Sequence, residues 1–414
     1  MTVEKIGEKA KKASEVLSIA GLAERNIAIE NIASDIMTYS REILIENQKD
    51  IEYMRIGNIP EMLIDRVTLS KSRIEFTSQE LLKISEFRDP IGSDDESFTR
   101  PNGLRFYKTR VPLGVVGFIY FARPSVTVNA AALCIKSGNV CLLQGGRETL
   151  HTNLILTKIL RNAVTESGLP PDCVQIINET TKDSIMKMIN LNKYIDVLIP
   201  YVGKNMVESI ISHSSVPVIK TGIGNCHIYV DKWADIEMAS KIVFNAKCSK
   251  PFDGNAVETL LVHKDIAPKF LPHVKTMLDK KRVKIKGDAK TVAILGGGAI
   301  PATENDWATE YLDYIIAVKV VSDIDEAIAH VNRYGTGHSE AIVTENYPNA
   351  EKFVKLVDAA AVYVNSSTSF TDGYEFGFGA DIGISVQKLH TRGPISLSDL
   401  TTIKYAVYGT GQTR

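Results

Sequence analysis

The sequence has no apolar run long enough to cross a membrane. Every hydrophobic stretch is broken by Gly, Lys or Asn well short of the ~18 residues that a spanning helix needs. Its opening residues, MTVEKIGEKAKKASEVL, carry charge where a secretory signal would carry an apolar core, and no cleavage site follows. The expectation is a cytoplasmic protein. Nor is there an excess of either charge: 48 Lys and Arg stand against 49 Asp and Glu, for a net charge of −1. A chain so balanced offers no electrostatic footprint to nucleic acid or to an acidic membrane. Cysteines are few and odd in number, namely Cys134, Cys141, Cys173, Cys226 and Cys248, with irregular spacing and no C-x-x-C. That excludes a disulfide framework and argues against a structural zinc site, so no metal is expected. Internal repeats and low-complexity tracts are absent too.

What is present is a long alternation of elements. A chain of 414 residues implies two or three domains. The first ~90 residues read as helices, with Ile27, Ile29, Ile32, Ile36 and Met37 at three- and four-residue intervals between charged positions. Residues 100–112 alternate apolar and basic side chains like an exposed strand that ends at Pro112. Strands and helices then take turns. VVGFIYF, NVCLLQGG, CVQIIN, IDVLIPYVG and a short PVIKTG read as strands, with helices between them. Repeated βα units of this length imply a parallel sheet covered by helices, with a nucleotide cofactor at its strand ends. From about residue 234 a second α/β region begins, with ADIEMASKIVFNAK as a helix and ETLLVHKDI after it. GGGAIP at 296–301 lacks the strand-to-helix frame of a phosphate loop and reads as a surface turn.

Six strings carry a resemblance to a known family. They are VPLGVVGFIYFARPSVTVNAAALCIKSGN, CHIYVDKWAD, NAKCSKPFDGNAVETLLVH, YLDYIIAVKVV, NRYGTGHSEAIVTE and FTDGYEFGFGADIGISVQKLHTRGP. In this order and spacing they resemble γ-glutamyl phosphate reductases (glutamate-5-semialdehyde dehydrogenases) of the aldehyde dehydrogenase superfamily. The resemblance implies an α/β fold: a Rossmann-type parallel-sheet cofactor domain, an α/β catalytic domain and a small β flap for oligomerisation. It places the cofactor domain at 1–92 and 113–233, the catalytic domain at 234–395, and the flap at 93–112 with 396–414. A homo-oligomer is the expectation, since open strand edges invite a second subunit.

The same resemblance implies an oxidoreductase of proline biosynthesis that uses NADPH to convert γ-glutamyl phosphate, an amino-acid-derived small molecule, into glutamate-5-semialdehyde. A cysteine thiolate of the family displaces phosphate to give a thioester, which hydride transfer then releases as aldehyde. Here the nucleophile frame, which resembles N-A-K-x-x-x-P-x-x-C-N-A, runs from Asn245 through Lys247 and Pro251 to Asn255 and Ala256, with Gly254 in the cysteine position. Cys248, six residues upstream, is the candidate for a displaced nucleophile or else a structural cysteine, and Cys226 fits a structural position. Further departures follow. Ser125 replaces the asparagine expected to steady the oxyanion, while Tyr201 and Ser369 replace two arginines. Arginine is the usual partner of carboxylate and phosphate oxygens. Arg123 and Glu375 remain as substrate candidates. Lys136, Ser137, Gly138, Gly145, Gly146, Lys182 and Glu310 are the cofactor candidates, with Lys182 favouring NADP over NAD. His338 and Arg392 also match. Three functions stay open: the family reductase, a cofactor- or partner-binding paralogue without turnover, and an enzyme repurposed for another substrate.

Overall fold

The computed structural model describes residues 1–222 and 224–414, with only the backbone of Met62, Asp94 and Asp95. The chain divides into two compact units. The first comprises residues 1–220, 377–382 and 395–414, and the second 221–376 and 383–394.

The first unit opens with five helices, α1 (Val3–Leu17), α2 (Leu22–Thr38), α3 (Ser40–Ile56), α4 (Glu61–Val67) and α5 (Lys71–Glu86). Their starts are written locally: Thr2 and Ser70 accept hydrogen bonds from the backbone N–H groups of Lys5 and Arg73. Ile29, Ile32 and Ile36 of α2 are fully covered. Ile27, expected on the same face, is 46% exposed, because a residue two before Ile29 points about 200° away on a helix.

Strands β1 (Asp94–Thr99) and β2 (Arg105–Pro112) follow as an antiparallel hairpin. The strand expected over 100–112 therefore begins at Arg105. Residues 100–104 turn instead, with Arg100 N–H donating to the Leu104 carbonyl and Gly103 at φ +88°. Next come β3 (Val115–Tyr120), α6 (Pro124–Lys136), β4 (Val140–Gly145), α7 (Leu150–Glu166), β5 (Val174–Ile176), α8 (Lys182–Met188), β6 (Val197–Tyr201) and α9 (Lys204–His213). Strands β3 to β6 form a parallel sheet in the order β5-β4-β3-β6. All six residues of β3 and of β4 are buried, as a sheet covered on both faces requires. The expected strand PVIKTG is a correction: it makes one bridge at Val218 and one at Thr221 and no ladder.

In the second unit β7 (Cys226–Val230), α10 (Ile236–Cys248), β8 (Val257–His263), α11 (Ala267–Leu278), β9 (Lys284–Gly287), α12 (Ala289–Leu295), β10 (Ile300–Pro301), β11 (Ile315–Val321), α13 (Ile324–Tyr334), β12 (Ser339–Val343), α14 (Tyr347–Leu356) and β13 (Ala361–Val364) build a seven-stranded parallel sheet ordered β10-β9-β11-β8-β7-β12-β13. A two-stranded sheet pairs β14 (Ile384–Ser385) with β15 (Gly393–Pro394). Back in the first unit, β16 (Thr401–Tyr408) pairs along its whole length with β2, completing the three-stranded sheet β1-β2-β16.

Candidate active site

In the four-stranded sheet the chain winds outward from β3 in both directions. One branch runs through β4 to β5, and the other starts at β6. Ligands of open α/β sheets bind outside the carboxyl ends at such a reversal, here between β3 and β6. Tyr120 ends β3 with Gly145 on one side and Tyr201 on the other. Two residues beyond it Ala122 adopts φ +51°, a left-handed conformation uncommon outside glycine, and donates its N–H to Glu148 Oε1 at 2.6 Å. Arg123 then caps α6. Its Nη1 donates to the Tyr201 hydroxyl at 2.5 Å, and its guanidinium carbon lies 4.4 Å from the Tyr201 ring centroid. Arg123 and Tyr201 are thus brought together, and part of the arginine fork is already engaged. Ser125 is exposed in the first turn of α6.

Gly203 caps α9 with no side chain on the helix's first N–H groups, and a Cβ placed there would meet no atom within 4 Å. An open helix N-terminus at a switch point fits the diphosphate of a dinucleotide. On β4, which lies on the other side of β3 from β6, Gln144 Nε2 donates to the Glu179 carbonyl, while its Oε1 is buried with no partner. That orphaned acceptor at the end of β4 marks a place where a ligand donor would be stabilised, so the residues present fit such a group. Gly145 and Gly146 lie beside it. A Cβ would come within 2.3 Å of Asn153 Nδ2 at the first and 2.2 Å of Glu148 Oε1 at the second, so both are glycine for close packing. Lys182 is exposed in the first turn of α8.

Lys136, Ser137 and Gly138, expected at the cofactor, form the buried carboxyl end of α6, and the side-chain polar atoms of Lys136 and Ser137 are bonded within the protein. Asn139 N–H bonds the Cys134 carbonyl and Gly138 N–H the Ile135 carbonyl, with Gly138 at φ +72°. This is a Schellman cap, which asks for glycine at that position. Lys136 is 0% exposed and its Nζ donates to Asn26 Oδ1 and to the Ser85 carbonyl, both at 2.7 Å. Desolvation lowers its pKa. Ser137 Oγ turns back onto the Leu133 carbonyl.

The second unit assembles its own cluster around the loop between α10 and β8. Gly254 lies on that loop, and its carbonyl accepts the Cys226 thiol at 3.1 Å. Gly224 packs against it so closely that a Cβ on Gly224 would overlap the Gly254 oxygen, at 1.4 Å. Gly224 N–H donates to Glu310 Oε1 at 2.8 Å, which brings Glu310 to the same loop. Asn255 Nδ2 donates to the carbonyls of Ser369 and Thr371, and Thr368 Oγ1 donates to the Asn255 carbonyl. Ser369 is therefore tied to this loop through its backbone. Glu375 is exposed nearby in the sequence and joins none of these bonds.

His338 completes the cluster. It is 2% exposed, and desolvation pushes its imidazole down to about 4, so it is neutral at pH 7. Its Nδ1 lies 2.7 Å from Ser339 Oγ and 3.7 Å from Cys226 Sγ. Ser339 Oγ donates to Thr371 Oγ1 at 2.6 Å, and Thr371 also bonds the Tyr363 hydroxyl at 2.7 Å. A Cβ on Gly254 would sit 3.5 Å from His338 Nε2. Residue reasoning singled out neither this hydroxyl chain nor Gly224. The strings CHIYVD and GTGHSEA contain Cys226 and His338, but nothing in their local spacing shows that they meet.

Of the two readings open for Cys248, its surroundings fit the structural one. As the last residue of α10 it is 6% exposed and packs in the apolar core with Val243, Val257 and Phe270. Burial pushes its thiol up to about 11. A nucleophilic thiolate needs the opposite surroundings. Burial, and then the Glu340 carboxylate, likewise push Cys226 well above the thiol range. Lys247 and Glu258 form a fully buried ion pair at 2.6 Å, and desolvation raises Glu258 to about 7 despite the ammonium.

Comparison with known proteins agrees with this architecture. The aldehyde dehydrogenase family model matches residues 1–314 and 301–381. The chain is 50% identical over 408 residues to γ-glutamyl phosphate reductase of Clostridium perfringens (strain SM101 / Type A), covering 99% of this chain and 98% of that one. It is 48% identical, with the same coverage, to that of Clostridium botulinum (strain Alaska E43 / Type E3). The crystal structure of γ-glutamyl phosphate reductase from Thermotoga maritima matches with a TM-score of 0.96 at 44% identity, with 100% of both chains covered. An acetylating aldehyde dehydrogenase from Geobacillus thermoglucosidasius shares the fold at 16% identity, with a TM-score of 0.73 over 100% of this chain and 97% of that one. Two units of α/β structure with this sheet order, and relatives of this identity over essentially the full length, make the chain a member of the γ-glutamyl phosphate reductase family of aldehyde dehydrogenases.

Proposed function

We propose that the protein acts on γ-glutamyl phosphate and glutamate-5-semialdehyde, with NADP as its cofactor, in the step of proline biosynthesis that its relatives are named for. The observation that carries this reading is the frame around Gly254: the space for a side chain, the imidazole beside it and the Asn255 clamp are all in place. Bound nicotinamide supplies the hydride. Arg123 is the cation for the substrate's anionic groups, and Ser125 offers one hydroxyl donor to a developing oxyanion. Gly254 stands where the family's thiol acts, so this chain forms no thioester there. In this reading residues 1–92 and 113–233 hold the cofactor and 234–395 the chemistry. Residues 93–112 with 396–414 join subunits through the open edges of β1 and β16, which sedimentation would register as a dimer or larger species.

The test runs the reaction in reverse. NADP⁺ reduction is followed with glutamate-5-semialdehyde and phosphate for the parent and for Gly254→Cys. Removing a nucleophile costs on the order of 10⁴–10⁶ in turnover elsewhere. The parent should therefore be slow, and Gly254→Cys should gain at least ~10³-fold. Silence from both would reject the substrate assignment and leave a binding protein or an enzyme for another substrate. A gain with NAD⁺ but not NADP⁺ would reject the cofactor assignment alone.

A further inference from the structure

Two independent features meet at position 254. The first is space. A Cβ built on Gly254 would meet His338 Nε2 at 3.5 Å, Gly224 N at 3.7 Å and Gly224 Cα at 3.9 Å, all ordinary contacts, and the backbone there is not left-handed. Position 254 thus accommodates a Cβ without displacing anything, in van der Waals contact with an imidazole nitrogen.

The second feature is where the protons sit. Ser339 Oγ gives its one proton to Thr371 Oγ1, so it faces His338 Nδ1, 2.7 Å away, with a lone pair. Nδ1 must then carry the ring hydrogen. Cys226 agrees, because its thiol proton goes to the Gly254 carbonyl and its sulfur turns lone pairs toward the same Nδ1. Among the described residues the polar contacts of His338 all fall on Nδ1. Nε2 is therefore the unprotonated nitrogen, and it is the atom nearest to the Cβ position of residue 254. Burial keeps the ring neutral, so its lone pair is free at neutral pH.

We infer that His338 is a general base for a water molecule held in the space that Gly254 leaves, which makes the protein an acyl-phosphate hydrolase. The inference rests on the reading that the substrate's acyl carbon is bound at residue 254. The water oxygen bonds to the acyl carbon while its proton passes to His338 Nε2. The tetrahedral alkoxide collapses, the carbon–oxygen bond to phosphorus breaks, and phosphate leaves with the electron pair. Nε2 then returns its proton to the departing phosphate. The products are a carboxylic acid and inorganic phosphate, with no redox change and no cofactor. A thiol at 254 would occupy the same space and take the acyl group itself.

The probe is acetyl phosphate in ¹⁸O-water without dinucleotide, with phosphate release and label position as readouts. The expected result is release above the buffer rate with the label in acetate. His338→Gln should lower the rate by on the order of 10²–10⁴, the usual share of a general base. Ser339→Ala, which frees the tautomer while keeping the imidazole, should lower it less. Variants are compared only where their melting temperatures show them folded. Parent release no faster than buffer, label in phosphate, or an unchanged rate in folded His338→Gln would each overturn the inference. The reductase reading is scored separately by Gly254→Cys with NADP⁺. Reduction by that variant, with no hydrolysis by the parent, overturns the inference alone. Hydrolysis by the parent with a silent Gly254→Cys upholds the water chemistry and removes the reductase.

Discussion

Two glycines in contact across one loop should respond oppositely to the same added carbon. A methyl group on Gly254 meets nothing closer than 3.5 Å, at a φ that L-residues tolerate. Gly254→Ala should therefore be neutral or stabilising by about 0.4–1 kcal/mol, since alanine has less unfolded-state freedom to lose. A methyl on Gly224 falls 1.4 Å from the Gly254 carbonyl oxygen and 2.2 Å from its carbon. Both are backbone atoms of a loop clamped by Asn255, so they cannot swing aside as a side-chain tip would. The loop would have to separate from Gly224, giving up the Cys226 thiol bond to the Gly254 carbonyl. The lost thiol bond and forced overpacking against backbone together put the cost of Gly224→Ala at roughly 3 kcal/mol. A unit of this size moves about 2–4 °C in melting temperature per kcal/mol. Thermal unfolding followed by near-ultraviolet circular dichroism should thus show Gly224→Ala at least roughly 6 °C below the parent, with Gly254→Ala within about 3 °C of it or above. Equal losses in the two variants would refute the reasoning, because they would mean that position 254 has no room.

Other outcomes follow from the buried groups. Lys247→Met strands the Glu258 carboxylate in the core and should cost about 3–5 kcal/mol, whereas replacing both partners by apolar residues should cost less than either single change. A denaturant double-mutant cycle that came out additive would argue against the pair. Cys248→Ala removes a buried sulfur and should destabilise the fold by about 1–2 kcal/mol while leaving turnover unchanged in the Gly254→Cys background; loss of turnover would reinstate Cys248 as a reacting group. His338 has a pKa of about 4 when folded against 6.5 when free. Between those values the unfolded chain binds a proton that the folded chain does not, so stability rises with pH across the window. The contribution is whole above pH 6.5 and lost by pH 4, about 3 kcal/mol at 1.36 kcal/mol per unit. His330, pushed down to about 3 by burial, acts in the same sense. The measurement is therefore the difference between parent and His338→Gln, which should narrow as pH falls from 7 to 4.

The βα rhythm of the first unit was readable because its buried strands, VVGFIY and VCLLQG, are short apolar runs bounded by glycine and proline. PVIKTG looked similar but lies outside the ladder, since apolar composition alone does not supply a pairing partner. β7 is the reverse case. CHIYV is buried at all five positions and sits between β8 and β12, yet a histidine in its second place hides it from a hydrophobic reading. That histidine is tolerated because Glu340 accepts its Nδ1 at 3.1 Å. Lys136 misled for a related reason. A lysine after an apolar helix suggests a solvated or ligand-bound amine, and its two partners lie 110 and 51 residues away in sequence. The site was hidden by the same kind of distance, with Cys226 and His338 112 residues apart. The string from Asn245 to Ala256, by contrast, is contiguous, so the loop that carries Gly254 could be read without knowing the fold.

That loop also explains how a chain can carry glycine at position 254 and keep the fold. Every bond that holds it is made by something other than a side chain at 254. The carbonyl of Gly254 takes the Cys226 thiol, the amide of Asn255 spans the Ser369 and Thr371 carbonyls, and the Asn255 carbonyl takes the Thr368 hydroxyl. Gly224 supplies the close approach, and Glu310 holds Gly224 in place. A side chain at 254 would project from this frame toward His338 and contribute reactivity without contributing support. None of these bonds depends on a side chain at 254, so stability exerts almost no pull on which small residue stands there. The residues that do bear structural load, Gly224, Asn255 and Cys226, are those whose replacement the frame cannot absorb. Support and side-chain chemistry are thus separable at this position, where a Cβ already fits.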